Sequence, residues 1–206
     1  MIGGRTIAPG FSALAENRMG TKTVGQWILF LVSVSLFASQ TVLAESGGSG
    51  TGQVSRGEHL ATFGGCNDCH TPKVMTPDGP RPDAARLLSG HRAEVHLPPV
   101  PAGVLGSPPW GVIATNELTA WAGPWGISFA ANLTPDKATG LGGWTAEQFV
   151  KTMRTGKHLG VGRPVLPPMP IADIAGLSDQ DLKALFAYLK SLRPVVNQVP
   201  PPVPPK

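Results

Sequence analysis

Cysteine is nearly absent from this chain: two residues, Cys66 and Cys69, in 206. A disulfide framework of several bridges is therefore excluded. Charge of either sign is scarce too, at 15% of residues, with a net +4. From Glu45 onward there are 14 Lys and Arg against 12 Asp and Glu, mixed in sign and without a long basic run. That pattern excludes a nucleic-acid surface as partner. No internal repeat occurs. The longest apolar run, Trp27 to Ala38, is short for a membrane span.

Glycine and proline are abundant instead, 26 and 22 residues, above ordinary usage. They point to one globular unit with much irregular backbone. Residues 1–44 read as an export signal, with Met19 as an alternative start: Lys22 precedes an uncharged stretch whose heart is Trp27 to Ala38, and Val42-Leu43-Ala44 offers small-residue cleavage. The rival reading is a retained anchor that associates the protein with the inner membrane. Either way the rest of the chain is expected outside the cytoplasm, in the periplasm. Residues 45–55 are rich in Gly and Ser and read as a linker.

The domain proper is expected over 56–193. A short helix is predicted from Arg56 to Cys69, with Leu60 and Phe63 on its apolar face. Residues 71–126 hold ten prolines and no sustained period, and read as a long loop pinned by Trp110, Trp121 and Trp125. Thr145 and Gln148 form a capping-box pattern, with Phe149, Val150 and Met153 as the buried stripe and Gly156 as the stop. Ser178 caps a final helix carrying Leu182, Leu185, Phe186, Leu189 and Leu192 at helical spacing. Pro194 ends it. The tail, 194–206, is proline-rich and expected to be extended and exposed.

The two cysteines lie in Cys66-Asn67-Asp68-Cys69-His70. A lone C-x-x-C serves as a redox dithiol, as half a metal site, or, when His follows, as a haem-attachment site. On one helical turn both sulfurs face the same side and each can add to a haem vinyl group. His70 then reaches the iron from the proximal side. A dithiol fold needs a strand pattern before Cys66, and none is present. A zinc site needs two further ligands, and His91, His96 and His158 show no paired spacing.

The iron's sixth position needs another ligand. Of five methionines, Met1 and Met19 belong to the leader, Met75 is too near His70 in sequence, and Met153 lies on the apolar stripe. Met169, in Leu166-Pro-Pro-Met-Pro170, is held by prolines in a rigid loop and is the predicted distal ligand. His158 and His96 are its rivals.

Together these segments resemble class I cytochrome c. Gly64-Gly-Cys-Asn-Asp-Cys-His-Thr-Pro72, Asn132-Leu-Thr-Pro-Asp136 and Trp144-Thr-Ala-Glu-Gln-Phe149 are similar to motifs of exported bacterial cytochromes. They also resemble the haem modules of multihaem dehydrogenase cytochrome subunits. The resemblance covers 55–72 and 127–193, leaving 73–126 as an insertion. It implies an all-α fold whose first and last helices cross near the haem, with Phe63 or Leu60 against Tyr188 or Leu185. It implies propionate contacts from Asn132, Thr134, Trp144 or Arg163. The expected function is electron transfer by one covalent haem c and its iron, without catalysis by this chain. Partners would be a dehydrogenase donor and an oxidase or second cytochrome as acceptor. The alternatives are the electron-accepting subunit of a dehydrogenase complex and a ligand-binding or peroxidatic cytochrome.

Overall fold

A computed structural model describes residues 50–105 and 111–205. The leader, most of the predicted linker's first half and Trp110 lie outside the described residues. None of the described helices is long and apolar enough to cross a membrane.

Helix α1 spans Gly50–Phe63 and α2 spans Cys66–His70. The single helix predicted from Arg56 thus starts earlier and breaks in two. Gly64-Gly65 is the break: Gly65 has φ 66°, ψ 25°, a left-handed conformation that a glycine adopts without strain. Residues 50–55, glycine-rich as they are, form the first turns of α1 rather than a free linker.

After α2 the chain forms strands where a loop was expected. Strands β1 (Lys73–Thr76) and β2 (Gly79–Pro82) make an antiparallel hairpin in which Thr76 pairs with Gly79. Strands β3 (Ile113–Ala114), β4 (Ala120–Gly123) and β5 (Gly126–Phe129) make a second antiparallel sheet in that order. The all-α expectation is therefore corrected to a mixed architecture of helices and two small antiparallel sheets. The reason is local. Pro77-Asp78-Gly79 and Pro124-Trp125-Gly126 are tight turns, with Gly79 at φ 106° and Gly126 at φ 94°. Each turn brings two short segments together whose backbone groups then satisfy one another.

Helix α3 (Ala146–Thr155) carries the full capping box between Thr145 and Gln148 and ends on left-handed Gly156. A short α4 (Ile171–Ala175) precedes α5 (Asp179–Ser191), capped by the Ser178 hydroxyl. Leu182, Leu185, Phe186 and Leu189 are buried, as their spacing requires, with Phe149 packed 5.3 Å from Phe186 between ring centres.

Helices α1 and α5 pack closely together. Gly57 makes this possible: a β-carbon there would lie 2.0 Å from the Ala184 carbonyl oxygen. Leu60, Leu185 and Tyr188 join the core around this contact. Phe63 does not; it is 86% exposed and stacks on His59.

The proline-rich tail is extended but firmly held. Val203 pairs with Ile127 on the free edge of β5. Asn197 is buried. Its amide donates to the carbonyls of Ser89 and His91, and its side-chain oxygen accepts from Ala93 N–H.

Candidate functional site

Cys66 opens α2 and Cys69 follows one turn later; both are free thiols and half-buried. Burial pushes both thiols up from their ordinary proton affinity, and at Cys69 the Lys73 ammonium opposes that. A redox dithiol needs the opposite shift, toward thiolate. Lys73, the first residue of β1, reaches back to the end of α2, where its ammonium donates to the carbonyls of Asp68 and Thr71. It occupies the helix C-terminus, where carbonyls lack partners and cations are favoured.

His70 is buried and held on two sides. Its carbonyl accepts from Gly90 N–H at 2.7 Å, and its Nδ1 donates to the Ala131 carbonyl at 2.8 Å. A carbonyl only accepts, so the Nδ1 proton is fixed and Nε2 keeps its lone pair. Burial lowers the proton affinity of the ring, so it is neutral at neutral pH. Gly90 sits at φ 81°, and a β-carbon on it would lie 2.5 Å from the Ala130 carbonyl oxygen. The loop can press onto residues 130–131 only because Gly90 has no side chain. Thr71, fully buried, donates to Asn67 and accepts from Leu88 N–H, fixing the turn after His70.

These residues fit a covalently attached haem. Two protonated, neighbouring thiols are available for thioether formation. A neutral imidazole with a free Nε2 and a carbonyl on its other nitrogen has the character of a metal ligand. Among the described residues no group of three or more His, Cys, Asp or Glu side chains is placed to hold a metal ion.

Met169 lies half-buried between a 3-10 turn, His158–Gly160, and α4. Its carbonyl accepts from Ile171 N–H at 2.8 Å. Two residues earlier the Pro167 carbonyl accepts from the buried Ser128 hydroxyl at 2.6 Å. The segment 128–131 therefore holds the methionine loop at one end and the His70 ring at the other. Met153 packs against the core, and Met75 on β1 is 65% exposed. His158 is exposed and sits edge-on to Trp144 at 4.9 Å, and His96 is exposed.

No family model matches the chain. It is similar to the cytochrome c subunit of alcohol dehydrogenase (quinone) from Gluconobacter oxydans, 26% identical over 188 residues, 91% of this chain and 31% of that protein. It is also similar to the gluconate 2-dehydrogenase cytochrome c subunit of Pantoea cypripedii, 32% identical over 135 residues, 66% of this chain and 22% of that protein. A third relative is the fructose dehydrogenase cytochrome subunit of Gluconobacter japonicus, 38% identical over 143 residues, 69% of this chain and 22% of that protein. The chain belongs to the c-type cytochromes. It spans less than a third of the length of these relatives.

Within this cytochrome, two of the four residues considered for propionate contacts are already employed elsewhere. Asn132 donates to Thr139 and to the Val195 carbonyl and accepts from Thr134, and both Asn132 and Thr134 are buried. They anchor the tail. Trp144 packs against the core, and the Arg163 side chain is exposed, with a 3.4 Å contact to the Pro164 carbonyl. Ala131 and Ser128 escaped sequence reading. Ala131 acts through its backbone, which no residue type announces, and Ser128 lies just past the stretch 71–126 expected to be a loop, in a strand the sequence does not signal.

Proposed function

We propose that the chain carries single electrons through one haem c, attached at Cys66 and Cys69 and ligated by His70 and Met169. We further propose that it does so as the electron-accepting cytochrome part of a dehydrogenase assembly. The observation that carries the reading is the His70 Nδ1 bond to the Ala131 carbonyl, made beside two free thiols of the same helical turn. When bound, the group supplies a one-electron ferric/ferrous couple.

The chain's own residues do the rest. Cys66 and Cys69 fix one edge of the group, so a small domain with thin helices retains a large apolar cofactor. Ala131 holds the His70 tautomer and ring orientation. Met169 would be the second residue to hold the group and, as a thioether, would favour its reduced state. Ser128 keeps its loop from drifting. With His70 and Met169 both holding the group, the chain would serve as a carrier rather than a catalyst.

The relatives' descriptions as dehydrogenase cytochrome subunits support the complexed role over a freely diffusing one. The donor would be a dehydrogenase subunit and the acceptor an oxidase or another cytochrome. The leader reading of residues 1–44 supports a periplasmic position, free or held at the inner membrane.

The test is purification of the full chain from its native cells. Haem should remain bound after denaturation and acid extraction, and a dehydrogenase should co-purify whose substrate reduces the cytochrome. Recovery as a lone haem protein would favour the diffusing carrier. Rapid carbon monoxide binding to the reduced protein at neutral pH would favour the ligand-binding alternative.

A further inference from the structure

Buried polar atoms almost always have a partner. Three in the described residues do not: Ser89 Oγ, His91 Nε2 and Arg92 Nε. Arg92 is accounted for by ion pairs, its Nη2 with Asp83 at 3.2 Å and its Nε with Glu117 at 3.4 Å. Ser89 has only a small hydroxyl at stake. His91 is different, because its ring is titratable and only 2% exposed.

The His91 ring is held in place. Its Nδ1 lies 2.9 Å from the Thr119 hydroxyl, and its face tilts against Phe129 with ring centres 4.9 Å apart. It also forms one wall of a cavity of about 170 Å³, shared with Thr115, Asn116, Glu117 and Thr119. Such a volume has room for water. Asn116 is exposed, so the rim of the cavity meets solvent.

The same residue is tied to the proposed haem site. Its backbone N–H donates to the Ala130 carbonyl at 2.8 Å, next to Ala131, which takes the His70 proton. On its other side, Gly90 N–H donates to the His70 carbonyl. A charge on His91 is thus separated from His70 by a short, tightly packed piece of protein, where Coulomb effects are stronger than in water.

We propose that His91 is a redox-linked proton site: it takes a proton from water through this cavity when the iron held by His70 gains an electron, and releases it on oxidation. The proposal rests on haem attachment at Cys66, Cys69 and His70. Each cycle takes one electron from a reduced protein partner and one proton from solvent. One N–H bond forms at the imidazole, His91 gains one positive charge, and the iron loses one. Oxidation reverses both steps.

The groups that face His91 set where it titrates. Burial lowers its proton affinity, while the Val95 carbonyl, which approaches the ring without completing a well-formed hydrogen bond, and the Glu117 and Glu94 carboxylates raise it. Arg92, its neighbour, is neutralised by Asp83 and Glu117, and Glu94 pairs with Arg86 at 3.1 Å. Burial comes first, so titration falls on the acid side of the ordinary histidine value of about 6.5. Reduction removes a nearby positive charge and raises the affinity. Between the two affinities the potential falls as pH rises.

The experiment uses the full haem-loaded chain. Its potential is measured by spectroelectrochemistry from mildly acid to slightly alkaline pH, and the His91 ring is followed by NMR in both oxidation states. The expected proton affinity of His91 is higher in the reduced state by on the order of tenfold. His91→Gln should flatten the pH dependence on the acid side of neutrality while keeping the haem spectrum. Equal His91 affinities in the two states, or an unchanged slope in the variant, would overturn the proposal. The NMR arm uses the unaltered protein and so decides the matter even if the variant fails to fold. Absence of covalent haem after denaturation defeats the attachment reading itself. Covalent haem with a pH-independent potential defeats only the role of His91.

Discussion

Ser128 donates its hydroxyl proton to the Pro167 carbonyl at 2.6 Å, joining the end of the small sheet to the loop that presents Met169. The same oxygen accepts from Trp125 Nε1 at 3.2 Å. Ser128→Ala removes both bonds. A stability loss of about 1–3 kcal/mol is expected from the groups left unpaired. The looser loop should also admit carbon monoxide faster to the reduced protein, and stopped-flow mixing measures that rate. An unchanged rate would mean that the loop is held by its prolines alone.

Met169→Ala gives the direct check on the distal assignment. Covalent haem should be retained, the potential should drop, and the iron should bind external ligands. Spectral bands and potential identical to the parent protein would transfer the sixth position to another residue, and His158→Ala would be the next variant to make.

Gly57→Ala places a methyl group 2.0 Å from the Ala184 carbonyl oxygen and 2.8 Å from Tyr188 Cβ. Backbone cannot yield there as a flexible side chain can. The helices must separate, at a cost of about 3 kcal/mol by the scale of overpacked cores. Denaturant titration should show the midpoint shift. Ala substitution at the open Gly50, where a new β-carbon meets nothing within 4 Å, should show no such loss.

Asp136 accepts from the Thr139 hydroxyl at 2.6 Å and from Thr139 N–H at 2.7 Å. The Thr139 side-chain bond first, and the backbone bonds after it, lower the carboxyl's proton affinity in the folded chain. Its stabilising effect is therefore present above the unfolded carboxyl value and lost as pH falls through the lower folded one. Thr139 in turn accepts from Asn197 N–H at 3.0 Å, so the acid limb should loosen the tail. The protection of the Asn197 amide against hydrogen exchange, taken relative to the intrinsic rate at each pH, should fall at low pH, and Asp136→Asn should make that protection less sensitive to acid.

The helical parts of this chain were legible because their signals are local. Thr145 with Gln148, Ser178, and the leucine spacing of the last helix each involve residues within a turn or two. The sheets were not. In β5 the buried side chain is Ser128 while Ile127 and Phe129 are only half-buried, the inverse of the hydrophobic pattern by which a strand is recognised. The Asp78-Gly79 turn was a readable hairpin signal, obscured by the prolines around it. At the proposed site, Cys66, Cys69, His70 and Met169 are drawn from residue type and spacing. The groups that position them could not, since Ala131 and Pro167 act through backbone carbonyls and Asn197 reaches its partners across more than a hundred residues.

The contact between Gly57 and Ala184 also has a consequence for how the protein is made. It joins the two ends of the folded unit, so it cannot form until nearly the whole chain has emerged. Until then the core against which Cys66 packs is incomplete, because five of its buried residues lie on the last helix. For the attachment proposed above, this leaves the two sulfurs a window for modification that closes when the last helix docks.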